Sequence, residues 1–443
     1  MKKLTTSFLF LGFTFAVAAA DTNTAAWLTR PLSLADALNT ALQQNATILK
    51  AQNDLEASHG IVVQTRAVVL PQVKASGQYA DEEITLATGS PYPLPHQSWN
   101  SGIQIIQSIY EGGKLRAALR AADATKQQAV AQFQTGVADT LLAVRLAYYD
   151  TLLAAQQITV HEASVNLLQK ELEDQQHRLD AGTVPKFNVL RAEVAVANER
   201  PNLIRARNDY RIAKNNLANL LGYNLPRDVW ENIPLNLTDA LEAAPYDVNL
   251  PDAIQQALTR RTELIALRKQ VELQQLNIVN AKSGYKPTMQ VFAGYNWMNN
   301  QFSTELGYEL NGWNAGAQMS WNIFDGLLTH GKVMQADAQF AHAKTDLADQ
   351  SRQIELAVRT AYSDFLEAKE VLDSQTKVQE EAEEALREAN ARADAGTGTQ
   401  LDVLDAETSL TQARTTQIQA LHDYTSARAK LERAIGADLA PAK

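Results

Sequence analysis

Cysteine is absent from all 443 residues, which excludes disulfide staples and thiolate metal sites and suits an oxidising compartment. It also leads us to expect no lipid anchor on an N-terminal cysteine. Beyond the first 20 residues no stretch approaches the ~20 uninterrupted apolar residues of a membrane helix, so a helical membrane protein is excluded. Positive charge is in short supply: 40 Lys and Arg stand against 50 Asp and Glu, a formal net charge of −10. A general nucleic-acid partner is excluded on that ground. The 7 histidines show no His-Glu-x-x-His or paired ligand spacing, so no metal or other cofactor is expected. No nucleophile and base can be nominated, and we do not read the chain as an enzyme.

Proline and glycine are scarce where they matter. From Leu115 to Ala181 there is no proline and a single glycine, Gly136, and from Val333 to Ala395 there is neither. Helices of that length rise on the order of 95 to 100 Å, deeper than any one globular core. Ile354, Val358, Ala361, Phe365, Ala368 and Leu372 step by 4 and 3 in turn, as do Val130, Phe133, Val137, Leu141, Val144 and Tyr148 approximately. This is the spacing of a coiled-coil seam. Each long helix is expected to stop at a glycine, Gly182 or Gly396, and to be followed by a shorter one, Phe187 to Leu221 and Gln400 to Ile435. The result is an antiparallel hairpin with Gly-Thr at its tip. A single helix is expected before each strand region, Ser33 to Val69 and Pro251 to Lys282.

The chain says the same thing twice. Pro71 recurs as Pro287, an offset of 216 (287 − 71). Trp99-Asn100, Tyr148, Asp180-Ala181-Gly182-Thr183, Asp209-Tyr210 and Gly222 recur as Trp313-Asn314, Tyr362, Asp394-Ala395-Gly396-Thr397, Asp423-Tyr424 and Gly436, an offset of 214 (313 − 99). Near-constant offsets across the whole chain mean a tandem duplication. Lys2 and Lys3 before an apolar run, Phe8 to Val17, and Ala18-Ala19-Ala20 spell a secretory signal peptide. The expected organisation is a signal peptide at 1–20, a first repeat at 21–222, a linker at 223–248, a second repeat at 249–436 and a tail at 437–443.

Within each repeat two segments alternate. Met289, Val291, Ala293, Tyr295 and Trp297 alternate with Thr288, Gln290, Phe292, Gly294 and Asn296; Trp313, Ala315, Ala317, Met319, Trp321 and Ile323 alternate with Asn314, Gly316, Gln318, Ser320 and Asn322. The first repeat sets Val73, Ala75, Gly77 and Tyr79 against Lys74, Ser76 and Gln78, then Trp99, Ile103, Ile105 and Ile109 against Asn100, Gln104 and Ser108. Strands of about 10 residues with one apolar face fit a transmembrane barrel. A half-buried soluble sheet shares the period. Tyr79, Trp99, Tyr295, Trp297, Trp313 and Trp321, near strand ends, favour the membrane interface. Four strands cannot close a barrel, and open edges do not lie in lipid, so several chains must share one. Two chains give eight strands and a filled interior, and three give twelve and an open lumen; three is the reading we favour.

At these residues the chain resembles the TolC-type outer-membrane efflux proteins across its full mature length. The shared pattern is the duplicated helix-strand-strand-helix-helix order and the strand exits Tyr110-Glu111-Gly112-Gly113 and Phe324-Asp325-Gly326. To these is added the tip Gly396-Thr397 followed by Asp402-Val403-Leu404-Asp405-Ala406. The resemblance implies a homotrimer, with a trimeric α-helical barrel crossing the periplasm and joined to a 12-stranded barrel in outer-membrane lipid. It further implies docking onto a periplasmic adaptor tied to an inner-membrane pump or ABC exporter, in drug efflux, metal-ion efflux or type I secretion. A pump-independent porin and a structural coiled-coil spacer are the alternatives.

Asp402 and Asp405 stand i, i+3 on one helix face, and the resemblance places this pair at a periplasmic pore constriction, where rings of carboxylates favour cations. Thr399 with Asp402 equally spells a capping box. The first repeat carries Asn188 and Arg191 at the matching positions, and we expect Arg191 to pair with Asp405. The tips Gly182-Thr183 and Gly396-Thr397 resemble adaptor-docking turns and are also ordinary helix C-caps. At Ala393 and Gly398 the chain departs from the tyrosine and arginine that lock the best-known members.

Overall fold

A computed structural model describes residues 31–81, 97–223, 233–299 and 309–437. The expected signal peptide, the residues of the tail after 437 and residues 224–232 of the linker lie outside the described residues.

Two helices, not one, open each repeat. α1 (Leu34–Gln44) and α2 (Ala46–Ala67) are separated by Asn45, and α5 (Leu250–Arg260) and α6 (Thr262–Lys282) by Arg261. This corrects the single helices expected at Ser33–Val69 and Pro251–Lys282. Apolar periodicity runs through both breaks and hides them. Asn45 takes extended backbone and accepts from the amides of Thr47 and Ile48, a standard N-cap. Its amide also donates to the Leu220 carbonyl at 2.6 Å. Arg261 does the matching job by other chemistry, donating to the carbonyls of Arg433 and Ala434 at 3.3 and 3.1 Å. Leu220 and Ala434 are themselves related by the 214-residue offset, so each break ties down the last turn of its own repeat.

Strands β1 (Gln72–Asp81), β2 (Gln97–Glu111), β3 (Thr288–Asn299) and β4 (Glu309–Ser320) form one antiparallel sheet in the order β1-β2-β3-β4. The register sets Tyr79 opposite Trp99, and its repeat-equivalent sets Tyr295 opposite Trp313. Val73, Ala75, Tyr79, Trp99, Ile103, Ala293, Tyr295, Trp297, Trp313, Ala315 and Met319 thereby share one face, and Lys74, Ser76, Gln78, Asn100, Gln104, Gln290, Asn296, Asn314 and Gln318 share the other. Two details depart from expectation. The register shifts between Ser108 and Tyr110, so Ile109 lies in a bulge and Tyr110 pairs with Met289 on the apolar face. β4 stops at Ser320, because Trp321 turns to donate its indole N–H to the Tyr285 carbonyl at 3.1 Å; Trp321 therefore sits just past the strand, at the helical end of the sheet.

From the sheet descend α3 (Lys114–Asp180) and α7 (Leu328–Asp394), each of 67 residues and so about 100 Å long. They return as α4 (Lys186–Leu220) and α8 (Gln400–Ile435). The seam residues Ile354, Val358, Phe365, Ala368 and Leu372 are buried with Ala253, Ala257, Leu264, Tyr424 and Leu431 in one core. The other core joins Leu141, Val144 and Tyr148 to α1, α4 and the far side of the linker, where Ile233, Leu235 and Leu241 are buried. The described part of the linker is thus a packed belt and not a loose tether. Tyr148, fully buried, donates its hydroxyl to the Leu32 carbonyl at 2.9 Å, and Tyr424 donates to that of Ala244 at 2.9 Å. The long helices and the edge strands otherwise leave much apolar surface exposed, including Trp313 at 79% and Val73 at 67%.

Candidate functional site

Each hairpin tip is built by the same bonds. Ala181 ends α3, Gly182 follows at φ 71°, and the Thr183 amide and hydroxyl both reach back to the Arg178 carbonyl, at 2.9 and 2.8 Å. In the second tip Gly396 stands at φ 72°, and Thr397 reaches the Arg392 carbonyl at 2.9 and 3.2 Å. Left-handed backbone is where glycine is favoured. A Cβ at either glycine would meet nothing within 4 Å, so both glycines face open space. All four residues, Gly182, Thr183, Gly396 and Thr397, are exposed.

Asp402 and Asp405 lie in the first turns of α8 and are both exposed. Asp402 closes a full capping box: its carboxylate accepts from the Thr399 amide and hydroxyl, each at 2.9 Å, and the Thr399 hydroxyl accepts from the Asp402 amide at 3.3 Å. Those two donors hold the Asp402 carboxyl below the usual aspartate range. Asp405 points from the next turn of the same face. Asn188 gives its carbonyl to the Gln400 side chain at 3.2 Å, which ties α4 of the first hairpin to α8 of the second. Among the described residues no ion pair joins Arg191 to Asp405. Arg191 instead lines a cleft of about 620 Å³ between the tips, together with Asn188, with Glu171, Asp174 and Arg178 of α3 and with Gln400 of α8.

Two connections at this end escaped sequence reasoning. Arg178 pairs with Asp174 at 2.6 Å and reaches Asp394 of the other hairpin at 3.5 Å. The repeat-equivalence of Arg178 and Arg392 marked the position, but nothing in spacing marked Asp394 as the partner. Glu407, with only 4% of its surface exposed, is a carboxyl inside the seam of α3 and α8; its repeat-equivalent Glu193 is exposed, so no pattern signalled it.

At the opposite end, Tyr79 and Trp99 cap the far rows of the sheet, with Trp297, Tyr295 and Trp313 in the next rows of the same face. Trp321 and Tyr285 lie at the helical end. Aromatics thus lie along the far rows of one apolar face and again where the sheet meets the helices. Among the described residues no group of three or more His, Asp or Glu could hold a metal ion, and no helix is long and apolar enough to cross a membrane.

Comparison with known proteins bears on the same features. The family profile described as outer membrane efflux protein matches residues 37–223 and again 253–437. Outer membrane protein TolC of Vibrio cholerae is 24% identical over 412 residues, covering 91% of this chain and 90% of that protein. The cobalt-zinc-cadmium resistance protein CzcC of Cupriavidus metallidurans is 24% identical over 436 residues, covering 96% and 97%. Among solved structures, the outer membrane protein VceC of Vibrio cholerae matches with a TM-score of 0.77 at 19% identity over 92% of this chain and 96% of that one, a likeness of fold. With its duplicated halves each matched by the same profile, the chain belongs to the outer membrane efflux protein family.

Proposed function

We propose that three copies of this chain assemble into one conduit, with a 12-stranded barrel in the outer membrane and a helical barrel crossing the periplasm. The protein is a non-enzymatic exit duct of the outer membrane. One observation carries the finer reading: a four-stranded sheet with an exposed, aromatic-banded apolar face and two edges unpaired among the described residues, continuous with helices about 100 Å long. Edge β4 of one copy pairs with β1 of the next. The apolar face meets lipid, and Tyr79, Trp99, Tyr295, Trp297, Trp313 and Trp321 sit at its interfaces.

In this arrangement the mature chain consists of repeats 21–222 and 249–436 joined by 223–248. The tips at Gly182-Thr183 and Gly396-Thr397 meet a periplasmic adaptor, and an inner-membrane pump or ABC exporter supplies the energy. Asp402 and Asp405 of three chains form carboxylate rings at the narrow end, with Asn188 and Arg191 beside them. The capping role of Asp402 is compatible with this, since a cap uses one carboxylate oxygen and leaves the charge. Extraction in mild detergent with mass measurement tests the assembly: a trimer in the outer-membrane fraction is expected, and a stable monomer in the soluble periplasm overturns it.

A further inference from the structure

Glu407 presents an unsolved electrostatic problem inside the seam between the hairpins. The residue is only 4% exposed, and one oxygen, Oε2, has no hydrogen-bond partner. Below it on α3, Gln175 is equally buried and donates to Glu171 Oε1 at 2.9 Å, while its own Oε1 is unpartnered. Gln400 of α8 is a further side-chain partner of Glu171. Packed around these groups are the apolar contact of Leu168, Val196 and Leu404 and the Thr411–Ser164 hydrogen bond at 3.1 Å. Glu407, with one oxygen unpartnered, and Glu171, held by two amides, therefore share the layer where α3 of the first repeat meets α8 of the second.

We propose that Glu171 and Glu407 form a proton-binding pair that sets this seam, closed while the pair holds a proton and loosened when both carboxyls are ionised. An unpaired buried carboxylate is costly, and a second beside it adds repulsion. Burial first, and then the charge of Glu171, push Glu407 up to about 7, and burial also pushes Glu171 up. The charge of Arg178 eases Glu171, but no surrounding cation relieves Glu407. On α3, Asp174 is paired with Arg178 and His161 with Glu199 of α4. Arg205 and Asp209 of α4 line the cleft on the Glu407 side, and Arg191 of α4 with Asp394 of α7 the cleft on the Glu171 side. Among the described residues none of these cations forms an ion pair with either acid.

The sign follows from linkage. Parting α3 from α8 exposes Glu407 to water and returns it toward its ordinary 4.5. The closed seam therefore binds the proton more tightly and loses stability as pH rises from about 5 toward 7. The ratio of loosened to closed seam increases roughly tenfold between about pH 6 and about pH 8 and levels off above that. Its consequence for conduction rests on the exit-duct reading; the proton binding does not.

The test uses the full-length detergent-solubilised protein. Infrared difference spectra between about pH 6 and about pH 8.5 are expected to show a protonated carboxyl signal lost in that range and absent in Glu407→Gln, which keeps the volume and removes the charge. Hydrogen exchange in 164–178 and 400–411, corrected for intrinsic rates, is expected to rise about tenfold over the same range in wild type and stay flat in the variant. In Glu171→Gln the midpoint moves to lower pH, which keeps the test open if Glu407→Gln does not fold. In planar bilayers the wild-type conductance is expected to follow the same pH midpoint. A carboxyl signal unchanged by either substitution, or pH-independent exchange in wild type, overturns the proposal. A titrating pair with pH-independent conductance retains the proton site and removes the exit-duct consequence alone.

Discussion

His422 of α8 and Asp150 of α3 meet at 2.7 Å across the boundary between the two repeats. The other imidazole nitrogen faces Asp423 at 3.0 Å, and the ring is only 12% exposed. Burial alone would pull the imidazole down, but the hydrogen bonds and charges of Asp150 and Asp423 outweigh it and leave its pKa raised. A cation here binds one repeat to the other by a bond that the neutral ring makes less well.

The bond should therefore depend on pH with a definite sign. Its contribution is full below the ordinary value of 6.5 and is lost as pH rises through the raised one. His422→Ala is expected to cost about 1 kcal/mol in mildly acid solution, the partners being exposed enough for water to screen them. Thermal melts at several pH values check this: the gap between wild type and variant should narrow on the alkaline side, and a constant gap would reduce His422 to packing.

A second prediction concerns the charged knot at the break between α5 and α6. Arg433, 8% exposed, holds both Asp139 and Glu263 at 2.7 Å, and Arg261 holds Glu263 at 2.8 Å. Burial pushes the Glu263 carboxyl up, yet the two guanidiniums prevail and hold it at about 2. Its contribution is present above the ordinary 4.5 and is lost as pH falls through about 2. Glu263→Gln leaves Arg433 underpaired and should destabilise the fold by about 3 to 5 kcal/mol at neutral pH. Denaturant melts that coincide with wild type at pH 7 would refute it.

The carboxylates at the start of α8 make a third. Two like charges about 4 Å apart repel by roughly 1 to 4 kcal/mol at effective dielectrics of 80 down to 20, so a ring of them in a narrow lumen favours cations. Asp402→Ala with Asp405→Ala should lower cation selectivity in single-channel recordings. The Thr399 cap itself survives this change and only the N3 half of the box is lost, so little change in stability is expected. Asn188→Ala should do much less, and Arg191→Ala should strengthen cation preference by removing a nearby positive charge. Unchanged selectivity in the double variant would leave Asp402 a cap only.

The fourth concerns the tips. Gly182→Trp with Gly396→Trp places bulk where an added Cβ meets nothing in this chain, at a strain cost of about 1 to 2 kcal/mol per site for the left-handed backbone. Export should be abolished while trimer and membrane insertion persist. Normal export would rule out the tips as a docking surface, and loss of the trimer would assign these glycines to folding.

Much of this fold was legible because periodicity and duplication are local signals repeated over long distances. The bounds of α8 match Gln400–Ile435 as read, and the seam from Ile354 to Leu372 is buried except at Ala361, which is half-buried. The helix breaks were missed because Asn45 and Arg261 interrupt an apolar rhythm that resumes at once. Their reason for breaking lies some 175 residues away, in the carbonyls of Leu220 and Ala434. The bulge at Ile109 likewise comes from pairing with β3, which the alternation of β2 alone does not encode. At the tips, the Thr399–Asp402 box was written in four adjacent residues. The Arg178–Asp394 bridge and the burial of Glu407 depend on how two hairpins lie together, and no one segment carries that.

The unpaired edges of the sheet have a genetic consequence. In the proposed trimer β4 of one copy meets β1 of the next; these are different surfaces, so that union would be heterologous, head to tail, and would close a ring only if every member offers both edges. A copy whose β4 edge is spoiled still adds through β1 and then leaves the circle open. In a cell making equal amounts of sound and spoiled chains, random mixing in threes leaves about one ring in eight wholly sound. Edge lesions should therefore behave as dominant poisons, whereas chains that never fold should be recessive.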